Sequence, residues 1–367
     1  MKVLLVLRGN KNSLYGGGGA ERRFGRVVQF LNNDNIKIIC NKEMAINFLK
    51  SGVIKDKRLL IYPEGNMGIL KFNIWLINKI KVLKPDVIHL VLIQKSLLPF
   101  YIALKTILKE FSVVLSIAWT KYLGSNIEPN IRILSRLLFS RAQLIDLLYP
   151  SAIKSSILRP YLKKVRITPC SFTDYNEFKS AKKENVVTFV GRLIKEKRPF
   201  LFLEVIRILR DRYPDVIKNW KFIILGDGYL KRKIMDYIER NNLSDLVFTS
   251  SSYSSKEILK KSKIFVTLQI LTNYPSQALI EAMACENAVI ATKDDDTLRL
   301  VTSETGIIVN DDPYEIAEAL RFLMINENLI VQKGKEARKK VIEEHRLDIF
   351  AEYLINLWKE TILNREN

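Results

Sequence analysis

The sequence predicts an α/β protein of two domains, each a parallel sheet covered by helices. Three observations carry that expectation. Apolar runs of strand length alternate with amphipathic stretches of helix length, the order that builds βαβ units. The strand candidates at 2–7 and 186–190 each run into a glycine-bearing turn and then a helix, so one architecture begins twice. Between them, over 172–184, the pattern lapses into polar residues ending Lys-Ser-Ala-Lys-Lys-Glu, where a linker belongs. At 367 residues the chain is long enough for two full cores.

In the first half the strands are expected at 2–7, 36–40, 59–62, 113–118, 144–148 and 165–168. Between 59–62 and 113–118 lies the turn-forming stretch Lys84-Pro85-Asp86, shortly before His89. The first strand leads into Gly16, Gly17, Gly18 and Gly19, then Glu21, at the start of a helix over about 20–31. Phe24, Val27, Val28 and Leu31 share one face of that helix. Strand, glycine loop and helix form the arrangement in which backbone amides approach a phosphate closely. The spacing is not G-x-G-x-x-G, and four consecutive glycines also suit a loop that orders on binding. A helix at 69–83 sets Phe72 and Trp75 beside Lys71, Lys79 and Lys81. It reads either as a membrane-surface helix or as a sheet-covering helix with solvated lysines. After strand 113–118 come a polar and aromatic loop, 119–130, and a helix at 131–139 with Arg132 and Arg136 one turn apart.

In the second half, strand 186–190 passes into Gly191-Arg192-Leu193-Ile194-Lys195-Glu196-Lys197 and a helix at 200–213. Strand 222–225 ends in Gly226-Asp227-Gly228, and strands follow at 246–249, 264–268, 288–292 and 306–309. A helix at 276–285 lies between two of them. Pro275 suits its start, where a missing N–H costs nothing, and Asn273 or Ser276 is placed to cap it. Such a unit aims the helix N-terminus at the carboxyl edge of the sheet. Glu281 is the one acid in this apolar helix. It reads either as a carboxylate accepting hydrogen bonds from a vicinal diol or as a surface Glu on an exposed face. A last helix, 347–363, carries Phe350, Leu354, Leu357 and Trp358 at helical spacing.

The net charge of +20 is unevenly divided. Residues 1–168 hold 28 Lys and Arg against 9 Asp and Glu, a net +19, whereas 169–367 hold 31 against 30. That asymmetry points to a polyanionic partner for the first half: an anionic membrane, a phosphorylated acceptor or nucleic acid. A uniformly lysine-rich composition would not leave the second half neutral. The apolar share of 48% and a mean hydropathy of +0.01 describe a soluble globular chain. The start, MKVLLVLRGN, is too short an apolar run for a signal peptide. The most apolar window, 97–118, is broken by Lys105, Lys109 and Glu110. Three distant cysteines and two histidines give neither a disulfide framework nor a metal constellation, which places the chain in a reducing cytoplasm.

The run IEAMACENAVIAT, beginning at Ile280, resembles the signature of the retaining glycosyltransferases of family 4, which have the GT-B architecture. FVGRLIKEK, ending at Lys197, resembles that family's Gly-Arg-Leu-x-x-x-Lys loop. The resemblance implies two Rossmann-like domains facing across a cleft. Residues 1–170 would bind the acceptor and 171–346 the nucleotide sugar, with the helix at 347–363 crossing back to the first domain. It implies Arg192 and Lys197 as diphosphate ligands, a planar fork and a mobile point charge, and Glu281 as the holder of ribose. Gly191, Gly226, Asp227 and Gly228 would line the donor site, and 250–253 falls where the base is usually held. The segment Thr272-Asn273-Tyr274-Pro275-Ser276 stands where the family has Glu-Gly-Phe, touching the donor sugar. Gly16, Gly17, Gly18 and Glu21 would lie between donor phosphates and acceptor.

This chain departs from the family in three places. Asn273 replaces the first of two paired acids, while keeping an amide able to donate and accept. No His follows the strand at 113–118, leaving His89 as either an acceptor contact or a buried structural residue. Pro169-Cys170-Ser171 replaces Pro-Asn-Gly. With two cations on the leaving group no metal is expected, although Asp294-Asp295-Asp296 is a conceivable ligand set. The expected reaction is a retaining transfer from a nucleoside-diphosphate sugar to a glycan or glycolipid in surface polysaccharide assembly. Its expected place is peripheral, on the inner face of the cell membrane, with no nucleic-acid partner. The rivals are a catalytically weak or inactive binding subunit and a nucleotide-sugar 2-epimerase.

Overall fold

The computed structural model describes residues 1–7, 19–91, 93–117, 129–251, 254–270, 272–294 and 296–366. The chain forms two compact units, Met1–Pro169 with Leu347–Asn367, and Cys170–Arg346.

The first unit opens with β1 (Val3–Val6), α1 (Gly19–Leu31), β2 (Ile36–Ile39), α2 (Lys42–Lys50) and β3 (Leu60–Ile61). It continues through α3 (Ile69–Leu83), β4 (Val87–Val91), α4 (Leu98–Lys105), β5 (Ser112–Ile117), α5 (Pro129–Arg141), β6 (Leu144–Leu147) and β7 (Val165–Ile167). The strands pair in parallel in the order β3-β2-β1-β4-β5-β6-β7. β1, β4, β5 and β6 are buried along their whole length, which explains why they read as continuous apolar runs rather than as alternating patterns. The register Leu4–Ile88–Val113 faces the core beneath α3, α4 and α5, where Phe72, Leu76, Phe100, Leu104, Leu134 and Phe139 pack. The alternate register, Leu5–His89–Val114, faces the opposite side of the sheet. At the end of α3, Lys84 turns the chain with φ 46°, and Pro85 forbids a further helical turn. The helix α2, with Met44, Ala45 and Phe48 buried, and the helix α4 were not separately expected from the sequence.

The second unit comprises β8 (Glu184–Val190), α6 (Pro199–Arg212), α7 (Pro214–Ile217), β9 (Lys221–Leu225), α8 (Lys231–Arg240) and β10 (Val247–Ser250). It then returns through α9 (Ser255–Lys261), β11 (Ser262–Thr267), α10 (Gln277–Ala284), β12 (Ala288–Thr292), β13 (Gly306–Val309), α11 (Pro313–Met324) and α12 (Glu327–Glu344). The strand order is β10-β9-β8-β11-β12-β13, again parallel. The direction of winding reverses between β8 and β11, the place in an open parallel sheet where the loops part and ligands bind. The polar stretch before β8 is more than a linker. Phe172 and Phe178 are buried, and Arg338 donates to the carbonyls of Tyr175 and Phe178 at 3.2 and 3.0 Å, tying it to the unit.

The last helix, α13 (Leu347–Glu366), belongs to the first unit. It lies on the sheet face opposite α3–α5, with Phe350, Leu354, Leu357 and Trp358 buried and Phe350 edge-on to Phe24 at 6.0 Å between centroids. Glu360 pairs with Arg166 beside β7. Among the described residues, no helix is long and apolar enough to cross a membrane.

Candidate functional site

The loops after β8 and β9 lie directly against one another at the switch of the second sheet. Gly191 N donates to Leu225 O at 3.0 Å, and Leu193 N to Asp227 O at 2.8 Å. A Cβ on Gly226 would stand 1.8 Å from the Gly191 carbonyl oxygen, and one on Gly228 2.4 Å from that of Leu193. No side chain fits at either position, so the two glycines allow the stacked loops to form. Asp227 turns its carboxylate onto the amide of Gly228 at 2.9 Å. The Tyr229 hydroxyl accepts from Lys195 N at 3.0 Å, closing the turn from the other side.

On this platform Lys197 runs its aliphatic stem past Gly191, 3.8 Å from where a Cβ would be, and its ammonium donates to the Gln269 side-chain amide. Gln269 follows β11 across the switch and was not singled out from sequence. Burial, and after it the Arg192 guanidinium, bring the Lys197 ammonium down to about 8. Among the described residues, neither Arg192 nor Lys197 has a carboxylate within ion-pair distance. The next cation, Arg198, is paired with Asp311. Two neighbouring cations without an acid repel one another until an anion arrives, which is the electrostatic form of a phosphate site.

The segment after β11 behaves differently from the expectation. Asn273 is fully buried. Its Oδ1 accepts from Thr267 Oγ1 at 2.8 Å and Gln269 N at 3.1 Å, and its Nδ2 donates to Thr292 O at 3.1 Å and Thr292 Oγ1 at 3.0 Å. All four bonds of which an amide is capable are made within the protein. Asn273 therefore clamps β11 to β12 and offers nothing to a sugar, which corrects its placement among catalytic residues. A carboxylate here could not donate to the Thr292 carbonyl, which accounts for an amide at the position. Tyr274 is buried too, its ring in the core with Arg299 above it at 5.3 Å, and Pro275 is buried beside it. Neither side chain is exposed to meet a donor. Ser276 remains half-exposed at the N-cap of α10, its side chain making no capping bond.

Glu281 is 8% exposed, which removes the surface reading. Its Oε1 accepts from Gln277 Nε2, one turn earlier, at 3.2 Å, and the same amide donates to Phe172 O at 3.2 Å. Asp294 accepts from the amides of Asp296 and Thr297 at 2.9 and 3.0 Å and from Asn273 N at 3.3 Å, so it caps the turn Thr297–Arg299 instead of facing outward. Among the described residues, no group of three His, Cys, Asp or Glu is placed to hold a metal ion.

In the first unit, Glu21 stands in the first turn of α1. Gly16, Gly17, Gly18 and part of the 250–253 segment lie outside the described residues. His89 is fully buried in the middle of β4. Trp358 Nε1 donates to its Nδ1 at 3.1 Å, so the ring carries its proton on Nε2, which donates to Ser116 Oγ at 2.7 Å. Ser116 in turn donates to Asp146 Oδ2 at 2.6 Å, while Thr168 and Tyr353 donate to Oδ1 at 2.7 and 2.6 Å. Burial lowers His89 to about 3, so it is neutral. Burial also raises the Asp146 carboxyl, against the hydrogen bonds that stabilise its charge. This network joins α13 to the sheet, and His89 is structural, not an acceptor contact.

Residues 172–343 match the family model described as Glycosyl transferases group 1. A curated relative from Campylobacter jejuni, the GalNAc-alpha-(1->4)-GalNAc-alpha-(1->3)-diNAcBac-PP-undecaprenol alpha-1,4-N-acetyl-D-galactosaminyltransferase, is 28% identical over 205 residues, 52% of this chain and 56% of its own. The poly(ribitol-phosphate) alpha-N-acetylglucosaminyltransferase of Staphylococcus aureus is 27% identical over 190 residues, 50% of this chain and 37% of its own. The chain thus spans about half or less of the curated relatives it matches. Among solved structures, Anabaena HepE in complex with UDP-glucose superposes with a TM-score of 0.78 at 14% identity, covering 97% of this chain and 98% of that one. A glycosyltransferase from Rickettsia africae gives 0.75 at 15% identity, covering 98% of each. The chain therefore has the GT-B fold, and its second unit is similar to the glycosyl transferases group 1 family.

Proposed function

We propose that the chain is a retaining glycosyltransferase of family 4 that moves a sugar from a nucleoside-diphosphate sugar to a glycan or lipid-linked acceptor at the cytoplasmic face of a membrane. The observation that carries the reading is the Arg192–Lys197 pair at the β8–β11 switch, neither cation ion-paired among the described residues. As the sugar–phosphate bond breaks, negative charge grows on the departing diphosphate, and the two cations stabilise it where water is partly excluded. The close stacking of the turns at Gly191, Gly226 and Gly228 fixes the loop that carries both cations. Glu281, held by Gln277, is the carboxylate for ribose hydroxyls, and the uncapped first turn of α10 supplies amides beside it. Asn273 acts only through the loop it holds.

The acceptor side of the proposal rests on charge. The printed names of the relatives specify an undecaprenol diphosphate-linked glycan and a poly(ribitol phosphate), both carrying phosphate. An excess of +19 in residues 1–168 suits such an acceptor, or the anionic surface in which a lipid-linked one sits. The deciding experiment offers a panel of UDP- and GDP-sugars with lipid-linked and polyol-phosphate acceptors and determines the product anomer by NMR. An α-linked product from an α-donor is expected. An inverted product would remove the retaining assignment, and nucleotide binding without any product would leave a binding subunit.

A further inference from the structure

We propose that the outward side of α3, α4 and α5 is the surface by which the first unit docks on an anionic lipid bilayer. The inference rests on the membrane-associated reading above and names the face that would serve it. The three helices pack side by side over one face of the first sheet, their inner sides in a single apolar core. Their outer sides are aliphatic as well as cationic. On α3, Leu70, Ile74 and Val82 are 64, 52 and 75% exposed, with Lys71 and Lys81 between them. Leu98 and Ile102 stand out on α4 beside Lys105, and Ile133, 70% exposed, stands on α5 beside Arg132 and Arg136.

The charge on this face has one sign. The three helices contain seven Lys or Arg and no Asp or Glu. Helices facing only water mix the signs, as α6, α11 and α12 do in the second unit with the pairs Arg207–Asp211, Arg321–Glu318 and Lys340–Glu344. An aliphatic stripe edged by cations matches the depth profile of a lipid interface, with methyl groups at the acyl boundary and ammonium and guanidinium groups among phosphates. A single-stranded nucleic acid would be met by stacking rings, and a duplex needs no aliphatic stripe. Trp75, the aromatic on α3 nearest the surface, instead lies against the core beside Phe72 at 5.6 Å.

The test uses the full chain and three variants: Leu70→Ser with Ile74→Ser and Ile133→Ser, Lys71→Glu with Lys81→Glu and Arg136→Glu, and Arg207→Glu in the second unit as a control. Sedimentation is measured with vesicles of phosphatidylcholine alone or mixed with phosphatidylglycerol. Wild type and control should bind only the mixed vesicles. The charge-reversal variant should lose binding at least tenfold, and the serine variant should lose the fraction that survives high salt. Circular dichroism checks that these exposed substitutions leave the fold intact. Undiminished binding by both variants, or no binding by the wild type, overturns the assignment. So does concentration-dependent self-association in the ultracentrifuge that the serine variant abolishes, because the face would then meet a second copy. Turnover with a short water-soluble acceptor separates this inference from the transferase reading: lost docking with normal turnover supports the face, and normal docking without turnover removes the enzyme alone.

Discussion

In the first sheet the polar side chains His89, Ser116 and Asp146 are sealed beneath α13 and satisfy one another. At the switch of the second sheet Arg192 and Lys197 sit on glycine turns and, among the described residues, neither has a carboxylate within ion-pair distance. Both sheets are parallel, wound in two directions from an inner strand, and built from the same strand–loop–helix units. The difference lies in what completes the polar groups. Where protein completes them, they hold an element in place. Where like charges are left side by side, as with Arg192 and Lys197, the arrangement suits the anionic ligand proposed above, and a satisfied buried polar group is no evidence of a site.

The largest effect should come from breaking the second arrangement. Arg192→Ala and Lys197→Ala are each expected to lower turnover by about 10²–10³, the range for loss of one group that stabilises a developing anion. Thermal unfolding should be nearly unchanged, and near-normal turnover in either variant would return the pair to an ordinary basic loop.

Breaking the first arrangement should do the reverse. Ser116→Ala leaves the His89 Nε2 proton and one Asp146 oxygen without their partner, which costs about 1–3 kcal/mol in stability. Calorimetry should show the first unit melting earlier, while nucleoside-diphosphate affinity is retained. Asn273→Asp tests whether the clamp belongs with the structural set. It sets a carboxylate oxygen against the Thr292 carbonyl, so it should destabilise by about 1–3 kcal/mol and should not raise turnover. A gain in turnover would restore a direct role for position 273.

A smaller effect is expected at Glu281. If the carboxylate holds ribose, Glu281→Ala should weaken the bare nucleoside diphosphate by about tenfold, near 1.4 kcal/mol, in isothermal titration. Unchanged affinity would leave Glu281 a structural partner of Gln277.

The gentlest test is pH. Lys197 is charged below about 8 in the free protein and loses its charge as pH rises through that value. Diphosphate affinity should therefore be full near neutrality and fall progressively above about pH 8. Lys197→Arg should flatten the profile. For stability the sign is opposite: the unfolded chain holds this proton up to about 10.4, so the group's cost to folding diminishes as pH rises from 8.

Much of the fold was legible because parallel strands buried on both faces are continuous apolar runs, and the runs at β1, β8, β11 and β12 are bounded by turn residues. GRLIKEK was legible as a local string that holds both cations. What escaped was pairing across distance. His89 finds Trp358 across 269 positions, and Asn273 finds Thr292 through the register of β11 and β12. No local period encodes either contact, so two residues that looked chemical from sequence proved structural. Gln269 escaped because an amide just past a strand has no distinguishing neighbourhood until Lys197 arrives from another loop. Phe172 and Phe178 were hidden by the charged residues around them.

The return of α13 to the first sheet has a consequence for synthesis. Phe24 and His89 emerge from the ribosome early, but their covering partners, Phe350 and Trp358, are made only after the whole second unit. The earlier 169 residues therefore expose a sheet face carrying the His89 imidazole and the Asp146 carboxyl until Leu347–Asn367 arrives. The usual order of domains folding from the N-terminus is thereby interrupted, since the first unit, begun before the second, can close only after the second has been synthesised.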